Sequence, residues 1–467
     1  MNSPNQLGRV HFLGLAGVGV SAVARLMLAA GVPISGTDAK ELPVLEEFRA
    51  AGVPVRVGYS AENIASIEAE TGGSITTVVA SSVATAGNPE YDAAAAAGTS
   101  LLHRSQGLAA CMADRRAIAV AGTHGKTTTS SMVAMMLDAA GYQPSFAIGA
   151  NVAGFDTNAR LGTGEWFVAE ADESDGSLLN YSPQIAVVTN VEPDHLDHYG
   201  TAEAVEQVFI DFTERIQSAG TLVLCLDDPG AGDLLRKVRE PLAARGVRIL
   251  TYGTSQESDL RVSEITPAGV GLRAVLHWPG HAPWPLELPA APGVHNALNA
   301  TAAVGTGLAA GLGLSEAAGA VGWFRGSSRR FELRGEVSGV RVIDDYAHHP
   351  TEVAAVLAAA QGASSGRVHA IFQPHLFSRT RDFAAEFGQA LNAADTAAVL
   401  EIYPAREKPI PGVSAQLLGH PVLSRSAAVE AVTAAAEPGD MVLTMGAGDI
   451  TSLAPDILTA LKRELTG

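Results

Sequence analysis

The chain has 467 residues, a formal net charge of -18 and 47% hydrophobic residues. Such a length exceeds a single hydrophobic core and predicts about three domains of roughly 150 residues each, while the acidic balance excludes broad nucleic-acid binding, which needs a basic face. The two cysteines, Cys111 and Cys225, lie far apart outside any paired motif, and there is neither a leader-like N-terminus nor an apolar run of about 18 residues, so the expectation is a cytoplasmic protein without membrane insertion.

Short β-rich runs alternate with Ala-rich helical stretches almost throughout. This predicts α/β layers with mostly parallel sheets. Boundaries are expected near Asp114 and Gly326, dividing the chain into 1–113, 114–326 and 327–467.

In the first segment, a strand at 10–13 runs into a glycine turn and then a helix. Gly17-Val18-Gly19, followed by Ala22, fits the Rossmann fingerprint, and Asp38 ends the next strand. Glycines there let backbone N–H groups approach a diphosphate, and the acid suits a ribose hydroxyl. The chemistry specifies a diphosphate and a ribose but not the remainder of the ligand, so a nicotinamide, a flavin and a nucleotide-sugar all remain open. Ser81 and Ser82 follow a strand at its carboxyl end, and Arg104 offers a cation for a phosphate.

The second segment carries the most informative motif. Gly122-Thr123-His124-Gly125-Lys126-Thr127-Thr128 follows an apolar strand and precedes a helix expected at 130–140. That is the setting of a phosphate-binding loop: backbone amides cradle phosphates, Lys126 reaches the β and γ oxygens, and the Thr127 hydroxyl suits Mg²⁺. The loop is short, with Val120 where a full Walker A motif has glycine. Glu170, at the end of a strand at 166–169, is positioned to face the loop; the acids at 172–175 read as solvated loop. A further strand ends in Glu192-Pro193-Asp194-His195, where histidine and carboxylates could hold a second Mg²⁺.

These segments, together with His295-Asn296-Ala297-Leu298-Asn299, Asp344-Asp345-Tyr346-Ala347-His348-His349-Pro350 and Gln373-Pro374-His375-Leu376-Phe377-Ser378-Arg379, resemble the Mur ligases over nearly the whole chain. The resemblance implies a Rossmann-like UDP-binding domain, a central P-loop ATPase-like domain and a C-terminal Rossmann-like domain that closes over ATP. It implies that the N-terminal turn holds UDP rather than NAD, that Asn296 and Asn299 lie at the adenine, that Arg330 belongs to the ATP site and that Asp345 contacts its ribose. It also places His348 near the reacting carboxylate and amine.

Within the family the motifs are most similar to the branch that adds L-alanine to UDP-N-acetylmuramate, using ATP and two Mg²⁺ ions. A related recycling ligase that adds a tripeptide is the alternative. Two departures stand out. Several relatives carry a carbamylated lysine after the metal-binding histidine, yet no lysine lies between Lys126 and Lys237. Leu376 replaces a basic residue found in some alanine-adding members. The loops around Tyr346 and His375 both leave strand carboxyl ends and are expected to converge on the amine, with the planar fork of Arg379 on its carboxylate and Arg381 as a further contact.

Overall fold

The structure is a computed structural model and describes residues 3–81, 84–405 and 407–465. Two compact units form, one from residues up to 251 together with 305–313, the other from 252–304 and 314 onward.

The first unit contains a five-stranded parallel sheet in the spatial order Val55–Val57, Ile34–Asp38, Val10–Leu13, Thr77–Ala80, Ser100–His103. Val10–Leu13 and Thr77–Ala80 are buried along their whole length, which explains their mostly apolar character; the polar exceptions are partnered, His11 with Ser35 Oγ at 2.9 Å and the Thr77 hydroxyl with the Leu7 carbonyl at 2.8 Å. Strand order reverses at Val10–Leu13, so a ligand crevice is expected beyond its carboxyl end, where the glycine turn begins.

The same logic repeats downstream. Arg116–Ala121 is flanked in parallel by Ile185–Val188 on one side and Trp166–Glu170 on the other. The phosphate loop leaves the carboxyl end of this central strand, so the polar ends of both neighbours must lie beside it. The helix that follows spans Lys126–Ala139, starting four residues before the predicted position because Gly125 already caps it.

The second unit contains antiparallel strands at Leu260–Ala268, Gly271–His277 and Trp284–Leu288. It also contains a five-stranded sheet in the order Glu332–Val337, Val340–Asp345, Met441–Met445, Val368–Phe372, Thr396–Val399, antiparallel only at its first strand. The edge strand Thr396–Val399 pairs in parallel with Val368–Phe372. Its alanines look helical in isolation, but that pairing overrides the preference, and just beyond the strand the Leu400 N–H bonds the Phe372 carbonyl at 2.9 Å.

Candidate active site

Gly122 adopts φ +136°. A Cβ on it would lie 2.0 Å from Thr189 Oγ1 and 3.0 Å from the Thr189 nitrogen, so no side chain fits. The loop is tied to the next strand end, with His124 N–H donating to Asn190 Oδ1 at 2.7 Å. Lys126 Nζ donates to the carbonyls of Gly122 and Thr123 at 2.7 and 3.0 Å and to Glu173 at 2.8 Å. Burial works against the ammonium charge, but Glu173 and Asp172 outweigh it and hold the pKa above its ordinary value. Thr123 and Thr128 are buried in the loop and the first helical turn.

Thr127 Oγ1 donates to Glu170 Oε1 at 3.0 Å, and Gly149 N–H donates to Oε2 at 2.7 Å. A hydroxyl beside a carboxylate is a hard oxygen donor set that fits Mg²⁺. His195, in the left-handed conformation at φ +55°, brings Nε2 to 3.6 Å from Glu173 and 3.8 Å from Asp194. Burial lowers its pKa and these two carboxylates raise it, with the raising effect dominant.

The acids after Glu170 are therefore not a solvated loop. Glu173 is 2% exposed and contacts both Lys126 and His195. Asp172 Oδ2 accepts from Arg104 Nη2 at 2.8 Å, and Asp175 lies 3.6 Å from His103 Nε2. The missed signal is the strand end itself: residues just beyond Glu170 share the position that made Glu170 a candidate.

At the N-terminal sheet, Gly14 takes φ +73°, and the Gly14 and Leu15 amides donate to the Thr37 carbonyl at 2.8 and 3.1 Å. Both oxygens of Asp38 bond backbone, Oδ2 to Ala16 N–H at 2.8 Å and Oδ1 to Lys40 N–H at 3.3 Å, so this acid shapes the turn. Gly17 caps the helix Val18–Ala29, and the Val18 carbonyl accepts from Asn158 Nδ2 at 3.1 Å. A Cβ at Gly19 would meet Arg104 Nη1 at 3.3 Å, so the glycine admits a guanidinium from a distant helix. Ser81 sits at the end of Thr77–Ala80, while Ser82 lies outside the described residues. Tyr59, absent from the sequence prediction, brings its hydroxyl 3.7 Å from the Cβ position of Gly14. Burial, with the Asp38 and Glu90 charges, pushes its phenol up to about 12. Its place two residues after the strand Val55–Val57 was the available clue.

In the second unit, Asn296 Nδ2 donates to the Pro292 carbonyl at 2.8 Å and lies 3.0 Å from His295 Nε2, while Asn299 Nδ2 donates to Asn296 Oδ1 at 3.1 Å. Burial pushes the His295 imidazole down to about 4. It is therefore neutral at pH 7 and can accept at Nε2, which fixes the Asn296 amide. Arg330 lies over the Tyr346 ring at 4.9 Å. Asp345 accepts from the Phe331 and Ala347 amides, both at 2.7 Å, and burial lifts its carboxyl to about 6 against the pull of Arg330.

His348 Nδ1 donates to the Tyr346 carbonyl at 3.0 Å and stands 3.3 Å from Glu352. The His348 and His375 rings are 6.3 Å apart, and His375 stacks on Tyr403 at 5.7 Å. The Tyr346 ring is 5.2 Å from that of His348, so Tyr346, His348 and His375 lie together. Arg379 is buried in the first turn of Phe377–Leu391, after Leu376 at φ +72°, a costly conformation for leucine. Arg381 is exposed and pairs with Asp382 at 2.6 Å.

Comparison with known proteins matches residues 9–116 to the Mur ligase family catalytic domain, 120–307 to the Mur ligase middle domain and 329–448 to the Mur ligase glutamate ligase domain. The chain is 54% identical to a UDP-N-acetylmuramate--L-alanine ligase of Arthrobacter, covering 100% of this chain and 98% of that protein. Among solved structures, a UDP-N-acetylmuramate-alanine ligase from Thermotoga maritima is similar at TM-score 0.79 and 24% identity, covering 97% of this chain and 99% of that one. A murein peptide ligase from Psychrobacter arcticus is similar at TM-score 0.69 and 25% identity, covering 97% and 98%.

Proposed function

From the premise that the chain belongs to the Mur ligase family, we propose that it joins L-alanine to the carboxylate of UDP-N-acetylmuramate, with ATP converted to ADP and phosphate, in peptidoglycan synthesis. The observation that carries this reading is the phosphate loop, with Lys126 charged and buried on Glu173 and the Thr127 hydroxyl on Glu170, in a chain whose full-length relatives bear that activity. Its substrates are small molecules, and among the described residues no helix is long and apolar enough to cross a membrane.

In this reading the N-terminal segment 1–113 holds the UDP-sugar through Gly17, Val18, Gly19, Asp38, Ser81, Ser82 and Arg104. Segment 114–326 holds ATP, and 327–467 the amino acid. The muramate carboxylate attacks the γ-phosphorus, and ADP leaves. Lys126 offsets the charge that develops on the transferred group. Thr127 and Glu170 would hold one Mg²⁺ and His195, beside Glu173, a second; bound there, the ions would neutralise the same charge. The neutral amine of L-alanine then attacks the acyl carbon, the acyl C–O bond to phosphate breaks, and the proton shed by the nitrogen passes to the departing phosphate. His348, half-buried beside Glu352, would hold that amine, and the buried Arg379 the alanine carboxylate. Asn296 and Asn299 read the adenine, while Asp345 and Arg330 complete the nucleotide contacts.

The test measures phosphate release and amide formation with L-alanine, glycine, L-serine, D-alanine and the tripeptide at saturating ATP and UDP-sugar. L-Alanine should show the highest specificity constant. Glycine and L-serine should trail, since a methylene is distinguished by only about 1–3 kcal/mol. A higher constant for the tripeptide would replace the assignment with the recycling ligase.

A further inference from the structure

Two consecutive residues at the end of Trp166–Glu170 reach two different cations. Asp172 accepts from Arg104 Nη2 at 2.8 Å, and Glu173 accepts from Lys126 Nζ at 2.8 Å. Arg104 is forked: with Nη2 on Asp172, its Nη1 lies against Gly19, at the start of the helix Val18–Ala29. Asp175 stands behind the same guanidinium at 3.9 Å. That helix is also tied from its other flank, where Asn158 bonds the Val18 carbonyl at 3.1 Å and Arg25 at 2.7 Å.

We infer that Asp172 is a positioning residue that holds Arg104 at the diphosphate of the UDP-sugar and so sets the spacing between that diphosphate and the phosphate loop. The inference rests on reading the glycine turn and Arg104 as the UDP-sugar site. A guanidinium already in its working rotamer loses less freedom when the diphosphate arrives. Because the next residue holds Lys126, a shift of this turn moves both cations together, and the muramate carboxylate stays in register with the γ-phosphate. The opposing effect is repulsion between Asp172 and the diphosphate. Asp172 and Arg104 are 35% and 23% exposed, so solvent screens that repulsion while the short bond persists.

The full-length protein tests this. Calorimetry with UDP-N-acetylmuramate gives the dissociation constant, and paired assays give phosphate released per amide formed. Arg104→Ala should weaken UDP-sugar binding about 30-fold and Asp172→Asn about tenfold, in line with losing charge-assisted bonds. In Asp172→Asn the KM for ATP should stay within about twofold, and phosphate release should exceed amide formation, a readout that a merely structural role would not move. The double variant should bind no worse than Arg104→Ala. Asp172→Glu, which keeps the charge and protects the fold, should weaken binding about threefold.

Unchanged binding in Arg104→Ala would overturn both the site reading and the inference. If Arg104→Ala weakens binding while Asp172→Asn binds equally or more tightly, Asp172 competes for Arg104 rather than positioning it. The inference then falls and the site reading stands. Additive losses in the double variant would likewise overturn it.

Discussion

Two glycine turns in the first unit follow buried parallel strands and open helices, yet they are built differently. The turn at Gly122–Gly125 carries its cation within itself: Lys126 is the first helical residue, and its ammonium folds back onto the Gly122 and Thr123 carbonyls. The turn at Gly14–Gly19 has no cation of its own, and Arg104 reaches it from the start of another helix. A self-contained site is legible as a motif. A borrowed one resembles any dinucleotide turn until the fold supplies its partner.

The comparison breaks first at Lys126. Lys126→Ala should lower kcat by about 10³-fold or more while circular dichroism keeps the native signal, since the lost group acts on charge in the transition state; the melting temperature should fall by a few degrees, because the buried Glu173 loses one of its two cations. Near-normal turnover in the folded variant would remove the phosphate-loop assignment. Next come the glycines. Gly122→Ala forces a Cβ against Thr189 at a positive φ and should destabilise by about 2–4 kcal/mol in denaturant titrations.

Gly19→Ala meets only the movable tip of Arg104 and should leave stability within about 1 kcal/mol, raising KM for the UDP-sugar a fewfold. Equal destabilisation of the two variants would show that the turns are not different in kind. Arg379→Lys should raise KM for L-alanine about tenfold and leave that for ATP within about twofold, because lysine keeps the charge and loses the fork. An unchanged alanine requirement would remove Arg379 from the carboxylate. The smallest expected effect is none at all: added bicarbonate should not alter turnover, because no lysine lies between Lys126 and Lys237 to carry a carbamate.

Residue order alone was enough to identify the strand, glycine loop and helix around Lys126, the Thr127 and Glu170 pair, the α/β alternation and the family. Each depends on neighbours a few residues apart or on strand ends, and local geometry follows from local sequence. The N-terminal fingerprint was legible only as a diphosphate site, since glycines dictate backbone approach and say nothing of the base. What the tertiary structure decided are the pairings across long separations. Arg104 with Asp172 are 68 residues apart, and Lys126 with Glu173 are 47 apart. An acidic run such as 172–175 is solvated by default, because isolated carboxylates are cheapest in water. Only the parallel pairing of Arg116–Ala121 with Trp166–Glu170 sets those carboxylates beside cations, where burial becomes tolerable.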